Sequence, residues 1–223
     1  MEKKMEKLKE HFRTKIEPAS KEIKDFIAEH GDEKISDVSI KQLYGGMRGI
    51  TALITETSKL DPAEGIRFRG YSIPELQEKL PTYPGGEEPL PEGIFYLMLF
   101  NELPDDDTVR RVSNNWVRRA AIPPHVFKVI DSLPLHTHPM TQFVTGIMAL
   151  RTESEFQKAY RKGINKKDYW EPTYEDAMNL IARLPRLAAY IYRRMYHNGD
   201  HIDPDSPLDW AGNCAHMLGF EYD

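Results

Sequence analysis

The sequence predicts a mainly α-helical fold, and three features of its 223 residues carry that expectation. From Gly70 onward, apolar residues recur at helical spacing in almost every segment. The longest such stretch, residues 173–197, has a continuous stripe of Leu180, Ile181, Leu184, Leu187, Ala188, Ile191, Tyr192 and Met195. Pieces that favour strands are short, lie near residues 50–70, and are too few for a sheet-based domain.

The elements follow in order. Residues 2–16 and 18–30 read as two amino-terminal helices with Phe12, Ile16, Ile23, Phe26 and Ile27 on one side, parted by Pro18 and closed by Gly31. Leu53-Ile54-Thr55 and Ile66-Arg67-Phe68 are extended pieces among the turns at Gly45-Gly46, Gly49 and Asp61-Pro62. Ser72 and Glu75 have the spacing of a capping box, so a helix starts there and stops at Pro81. Residues 84–91 form a turn-rich connector, and residues 94–100 are apolar nearly all round, as in a buried helix. Asp105, Asp106 and Asp107 sit at the positive end of a helix reaching about Ala121, and Pro123-Pro124 opens another that ends near Leu133. His138-Pro139 opens a helix through Leu150, Thr152 or Ser154 caps a shorter one through Tyr160, and Pro185 should kink the long helix without ending it. After an acidic loop at residues 198–207, a last helix runs from Leu208 to Gly219.

Composition narrows the function classes. The chain is 40% hydrophobic and 29% charged with a net charge of -5, which is ordinary globular composition and favours neither nucleic acid nor a membrane surface as partner. One cysteine, Cys214, rules out an intramolecular disulfide and a cysteine-based zinc site, and points to a reducing compartment. The amino terminus alternates lysine with glutamate, unlike a secretory signal or an acid-free presequence, so a cytoplasmic location is expected.

Few clusters could carry chemistry. Gly45-Gly46-Met47-Arg48-Gly49 combines glycines that permit close backbone approach with a guanidinium suited to phosphate or carboxylate; it is either a plain turn with a surface arginine or an anion site. Lys162, Lys166 and Lys167 lie beside Tyr169 and Trp170, as a phosphate site or a solvated loop. His136 and His138 lack a third metal ligand, and His197, Asp200, His201, Asp203 and Asp205 lack the pattern of a calcium loop. Glu56 with Asp61, and Glu87 with Glu88, are assigned to turns and caps, and Cys214 to the core.

Longer motifs add a resemblance. Residues 43–49, 56–62, 64–75 and 85–93, then Arg118-Arg119-Ala120-Ala121, His138-Pro139-Met140, Tyr169-Trp170-Glu171, Tyr174-Glu175-Asp176 and the tail from Leu208-Asp209-Trp210 to Met217-Leu218-Gly219, together resemble citrate synthase of the mitochondrial type. The matches keep their order and span nearly all of residues 37–219, which corresponds to the amino-terminal half of that family.

The resemblance implies the citrate synthase fold, with amino-terminal helices in residues 1–36 and part of the large helical domain in residues 37–223. It implies an acyltransferase that condenses acetyl-coenzyme A with oxaloacetate and water to give citrate and coenzyme A, the first step of the tricarboxylic acid cycle, with acetyl-coenzyme A as substrate and no cofactor. It also implies a homodimer joined through helices 138–151 and 173–197, whose apolar faces include Phe143, Ile147, Leu150, Leu180, Leu187 and Ile191. Arg48 matches an arginine that contacts a coenzyme A phosphate. Lys166 stands where the family has a second arginine reaching coenzyme A from the partner subunit, and a lysine gives a point charge without the two-pronged fork. The family's catalytic histidines and aspartate belong to later motifs, so His136, His138, His197 and His216 are not expected to be catalytic, and residues 1–223 alone are expected to be inactive. A 2-methylcitrate synthase of the same family and a non-enzymatic interaction module are the rival readings.

Overall fold

The computed structural model describes residues 2–51, 53–205 and 207–220, so both ends of the expected division at 36/37, and Ser206 in the expected acidic loop, lie outside the described residues. The chain forms two compact units, Met1–Pro89 with Gly93–Asp105 and Leu90–Glu92 with Asp106–Asp223.

The first unit opens with one helix, α1 (Glu2–His30), where the sequence suggested two. Pro18 lies inside it: a proline removes one backbone hydrogen bond, and the turns on either side are enough to carry the helix through. The apolar side predicted for this region packs only in its first part. Leu8 is buried, His11 stacks on Phe100 at 5.1 Å, and Phe12 meets the same ring edge-on at 5.7 Å. Ile23, Phe26 and Ile27 remain exposed.

A short helix that sequence reading missed, α2 (Ile40–Tyr44), starts at a capping box in which Ser39 accepts from the Gln42 amide and the Gln42 side chain accepts from the Ser39 amide. Leu53 and Ile54 form no strand and are exposed, because β-branched character alone gives no ladder without a partner. The strands lie further on: β1 (Ser58–Asp61), β2 (Gly65–Phe68) and β3 (Tyr71–Ser72) pair antiparallel in that order. The Asp61 carboxylate accepts the amides of Ala63 (2.8 Å) and Glu64 (3.0 Å) in the first turn, which holds its pKa below the usual value. In the second turn Arg69 and Gly70 both have positive φ (49° and 89°), the geometry of a tight two-residue hairpin. The Arg69 guanidinium donates twice to the Met98 carbonyl (3.1 and 2.7 Å) and once to that of Glu56 (3.1 Å).

The Ser72–Glu75 capping box forms as expected and starts α3 (Ile73–Lys79). Leu76 and Leu80 pack with Leu97 of α4 (Pro91–Phe100), with Phe68, Tyr71 and Ile94 around them.

The second unit is all helical among its described residues: α5 (Asp106–Arg119), α6 (Pro124–Asp131), α7 (Pro139–Leu150), α8 (Glu155–Arg161), α9 (Trp170–Tyr196) and α10 (Trp210–Leu218). Local signals explain the boundaries. His138 caps α7 by accepting from the Met140 amide, Ser154 caps α8, Asp209 caps α10, and Gly219 ends α10 in the left-handed conformation. The long helix starts at Trp170, a turn before the predicted start, and runs through Pro185.

Its core is Ile122, Val126, Ile130, Leu150, Leu187 and Ile191, lined by Phe127, Phe143 and Ile147. A fully buried side chain of this size is worth about 1.5–3 kcal/mol, an upper figure because the unfolded chain also hides some of it. Helices α7 and α9 come closest at Gly146, where an added Cβ would stand 2.8 Å from Leu187 Cδ1 and 3.1 Å from Ile130 Cδ1. Residues Phe143, Ile147, Leu150, Leu187 and Ile191, expected at a subunit interface, thus belong to the chain's own core. The exposed apolar side of α7 is instead Met140, Val144 and Met148, spaced one helical turn apart.

Candidate functional site

Helix α2 delivers the chain into the glycine–arginine turn. Gly45 ends the helix with its amide bonded to the Lys41 carbonyl (2.9 Å), and the Met47 amide reaches back to Gln42 (2.8 Å). Gly46, Met47 and Gly49 all have positive φ (74°, 61° and 72°). Two of those positions suit glycine, whereas at Met47 a left-handed backbone carries a cost of about 1–2 kcal/mol. Arg48 projects from this fold-back exposed, and among the described residues its guanidinium makes no hydrogen bond or ion pair. A charged fork held on a sharp turn, uncommitted to any protein acceptor, can take an anion.

Lys166 lies in the second unit, exposed, in a single 3-10 turn (Lys166–Asp168) that Asn165 caps through the Lys167 amide. The neighbouring rings pack on each other: Tyr169 meets Phe156 edge-on at 5.2 Å and lies 6.2 Å from Tyr160. Arg48 and Lys166 therefore belong to different units.

The other candidates serve structure. No group of three or more His, Cys, Asp or Glu side chains able to hold a metal occurs among the described residues. In the loop after α9, Asp200 pairs with Arg193 (3.3 Å), Asp203 with Arg186 (3.1 Å), and His201 lies flat on Tyr190 at 3.9 Å. His136 is exposed and His138 is a helix cap. Glu88 accepts from Gln77 (3.1 Å). Burial pushes the Cys214 thiol above its ordinary pKa, which makes it less nucleophilic at neutral pH.

One group escaped sequence reading. Glu92, in the first turn of α4, is fully buried, and burial raises its pKa. A glutamate after a proline at a helix start is ordinarily solvated, so only packing reveals it.

The helix order defines an all-helical scaffold shared with solved citrate synthases. The enzyme from Pyrobaculum aerophilum aligns with a TM-score of 0.66 at 27% identity, over 80% of this chain and 43% of that one. A family model described as "Citrate synthase, C-terminal domain" matches residues 46–223, and the chain belongs to the citrate synthase family. Mitochondrial citrate synthase of Daucus carota is 53% identical over 214 residues, 96% of this chain and 45% of the relative. The mitochondrial 2-methylcitrate synthase of Yarrowia lipolytica is 50% identical over 96% of this chain and 46% of its own length. The chain thus spans less than half the length of these relatives.

These relatives correct one expectation. They are mitochondrial proteins, against the cytoplasmic location read from the sequence. A single cysteine fits any reducing compartment, and the composition of a folded domain carries no address, so the cytoplasmic inference had no physical force.

Proposed function

We propose that this chain is part of a citrate synthase that joins the methyl carbon of acetyl-coenzyme A to the ketone carbon of oxaloacetate and, with water, yields citrate and coenzyme A. The observation that carries the reading is 53% identity to a citrate synthase along 96% of the chain. In this reading the activity supplies the first step of the tricarboxylic acid cycle in mitochondria, as the names of the relatives suggest. Arg48 binds a coenzyme A phosphate, supported by its exposed and unpaired guanidinium on the glycine turn. Lys166 makes a weaker phosphate contact from the partner subunit of a homodimer. Helices 138–151 and 173–197 form the dimer contact, which the exposed row Met140, Val144 and Met148 favours. Residues 1–36 precede the large domain, of which residues 37–223 are a part.

The proton acceptor and the groups that stabilise the enolate come from sequence outside these residues, in keeping with the relatives' greater length. A second reading, condensation of a longer acyl group, is favoured by the 50% identity to the Yarrowia lipolytica enzyme. Competition between acetyl- and propionyl-coenzyme A on the full-length protein decides between them. Oxaloacetate-dependent release of coenzyme A, with acetyl preferred, supports the first reading; preference for propionyl supports the second, and release from neither sinks both.

A further inference from the structure

Glu92 is the most completely enclosed acid among the described residues, with no exposed surface. Neither carboxyl oxygen has a hydrogen-bond partner of regular geometry. The Ser113 hydroxyl on α5 and the Trp210 amide at the start of α10 are near enough to favour negative charge there, but neither closes a full bond. The charged group facing it is Asp209, and from α5 it meets the neutral Ser113. Asp209 is committed as the cap of α10, accepting the Gly212 amide at 2.7 Å. A cap of that kind works as an ionised acceptor.

Two carboxyl groups therefore meet at the first turn of α10, and only one is placed to be charged. An enclosed carboxylate lacking full hydrogen bonds, beside a second carboxylate, pays for desolvation and repulsion together. The proton belongs on Glu92. We propose that Glu92 is a proton-operated latch: its enclosed carboxyl, set between Ser113 of α5 and the Asp209–Trp210 start of α10, keeps α10 seated while protonated and loosens it when ionised.

The sign follows from linkage. Burial, the largest cause, and then Asp209 lift the folded-state pKa above the ordinary carboxylate value. The closed form therefore binds the proton more tightly than the open one, so the stabilisation is complete below the ordinary value and fades as pH rises through the lifted one. Acid seats the helix and alkali frees it.

Hydrogen exchange of the full-length protein, followed on peptides covering residues 210–218 and corrected for intrinsic rates between about pH 5 and about pH 8, tests this. Opening of α10 should rise several-fold across that range. Glu92→Gln, which keeps the shape and cannot ionise, should flatten the rise and leave α10 protected at the alkaline end. Asp209→Asn keeps a capping oxygen and removes the facing charge, so the rise should shrink without vanishing. The latch is overturned if α10 in the unaltered protein shows no rise with pH, or if the rise persists undiminished in either variant. Should Glu92→Gln fail to fold, the unaltered protein and Asp209→Asn still decide the matter.

Discussion

The indole N–H of Trp210 donates to the carbonyl of Ile181 at 2.9 Å. That carbonyl is the acceptor that residue 185 would serve in an unbroken helix, and Pro185 has no amide hydrogen to offer. The first residue of α10 thus repairs the gap that a proline opens in α9. Trp210→Phe should cost about 1–3 kcal/mol in the full-length protein, since it strips the only N–H aimed at a partly buried acceptor. In a Pro185→Ala background, where an amide returns, the same change should cost less. Equal costs in the two backgrounds, measured by denaturant unfolding, would refute the repair.

Gly146 leaves no room for a side chain against Leu187 and Ile130. Gly146→Ala should destabilise by about 1–3 kcal/mol despite alanine's better helix propensity, because overpacking outweighs the propensity gain. An unchanged or raised melting temperature contradicts this.

The Glu102 carboxylate receives Lys15 and His11 (2.9 Å from His11), and these contacts, Lys15 first, hold its pKa below the ordinary value. Stability from this group is present above the ordinary value and is lost as pH falls through the depressed one. Its side chain is 40% exposed, so solvent screening keeps the contribution well under about 1 kcal/mol. Glu102→Gln should lower the melting temperature slightly at neutral pH, with the difference closing in acid. A difference that widens in acid would have the wrong sign.

Tyr190 donates to both oxygens of Asp131 at 2.9 Å, and burial together with that bond pushes its pKa up to about 12. Its stabilising share should hold below the ordinary phenol value of 10.0 and fade as pH climbs toward about 12. Ultraviolet titration of Tyr190→Phe against the unaltered protein should remove a late-ionising phenol; loss of an early one speaks against the assignment.

For the site, Arg48→Ala in the full-length enzyme should raise KM for acetyl-coenzyme A by about tenfold with little change in kcat, the pattern of a lost ground-state contact. Lys166→Arg should lower that KM by restoring a fork. A fall in kcat alone for Arg48→Ala would place the residue elsewhere in the mechanism.

Much of this was legible where the signal is local. The capping pairs at Ser72 and Glu75, the prolines opening α6 and α7, and the stripe around Leu187 and Ile191 all gave helices within a turn of their observed ends. Ser39 and Gln42 carry the same capping chemistry but begin a helix of only five residues, too short to leave a periodic pattern. Pro18 misled because a proline's cost of about 3 kcal/mol is spread along a helix of 29 residues. Arg48 could be found from glycines and a charge, which are properties of sequence. Glu92 could not, because what distinguishes it is the company of residues far along the chain.

Two arginine–glycine bonds in the first unit differ in one respect. At Arg69–Gly70 the guanidinium is engaged by the carbonyls of Met98 and Glu56, whereas at Arg48–Gly49 it stands in solvent on an exposed turn. Trypsin must swallow the arginine side chain before it can cut. Under brief native digestion it should sever the chain after Arg48 long before it touches Arg69, so a protease reads from outside which of the two cations the protein has already spent on itself.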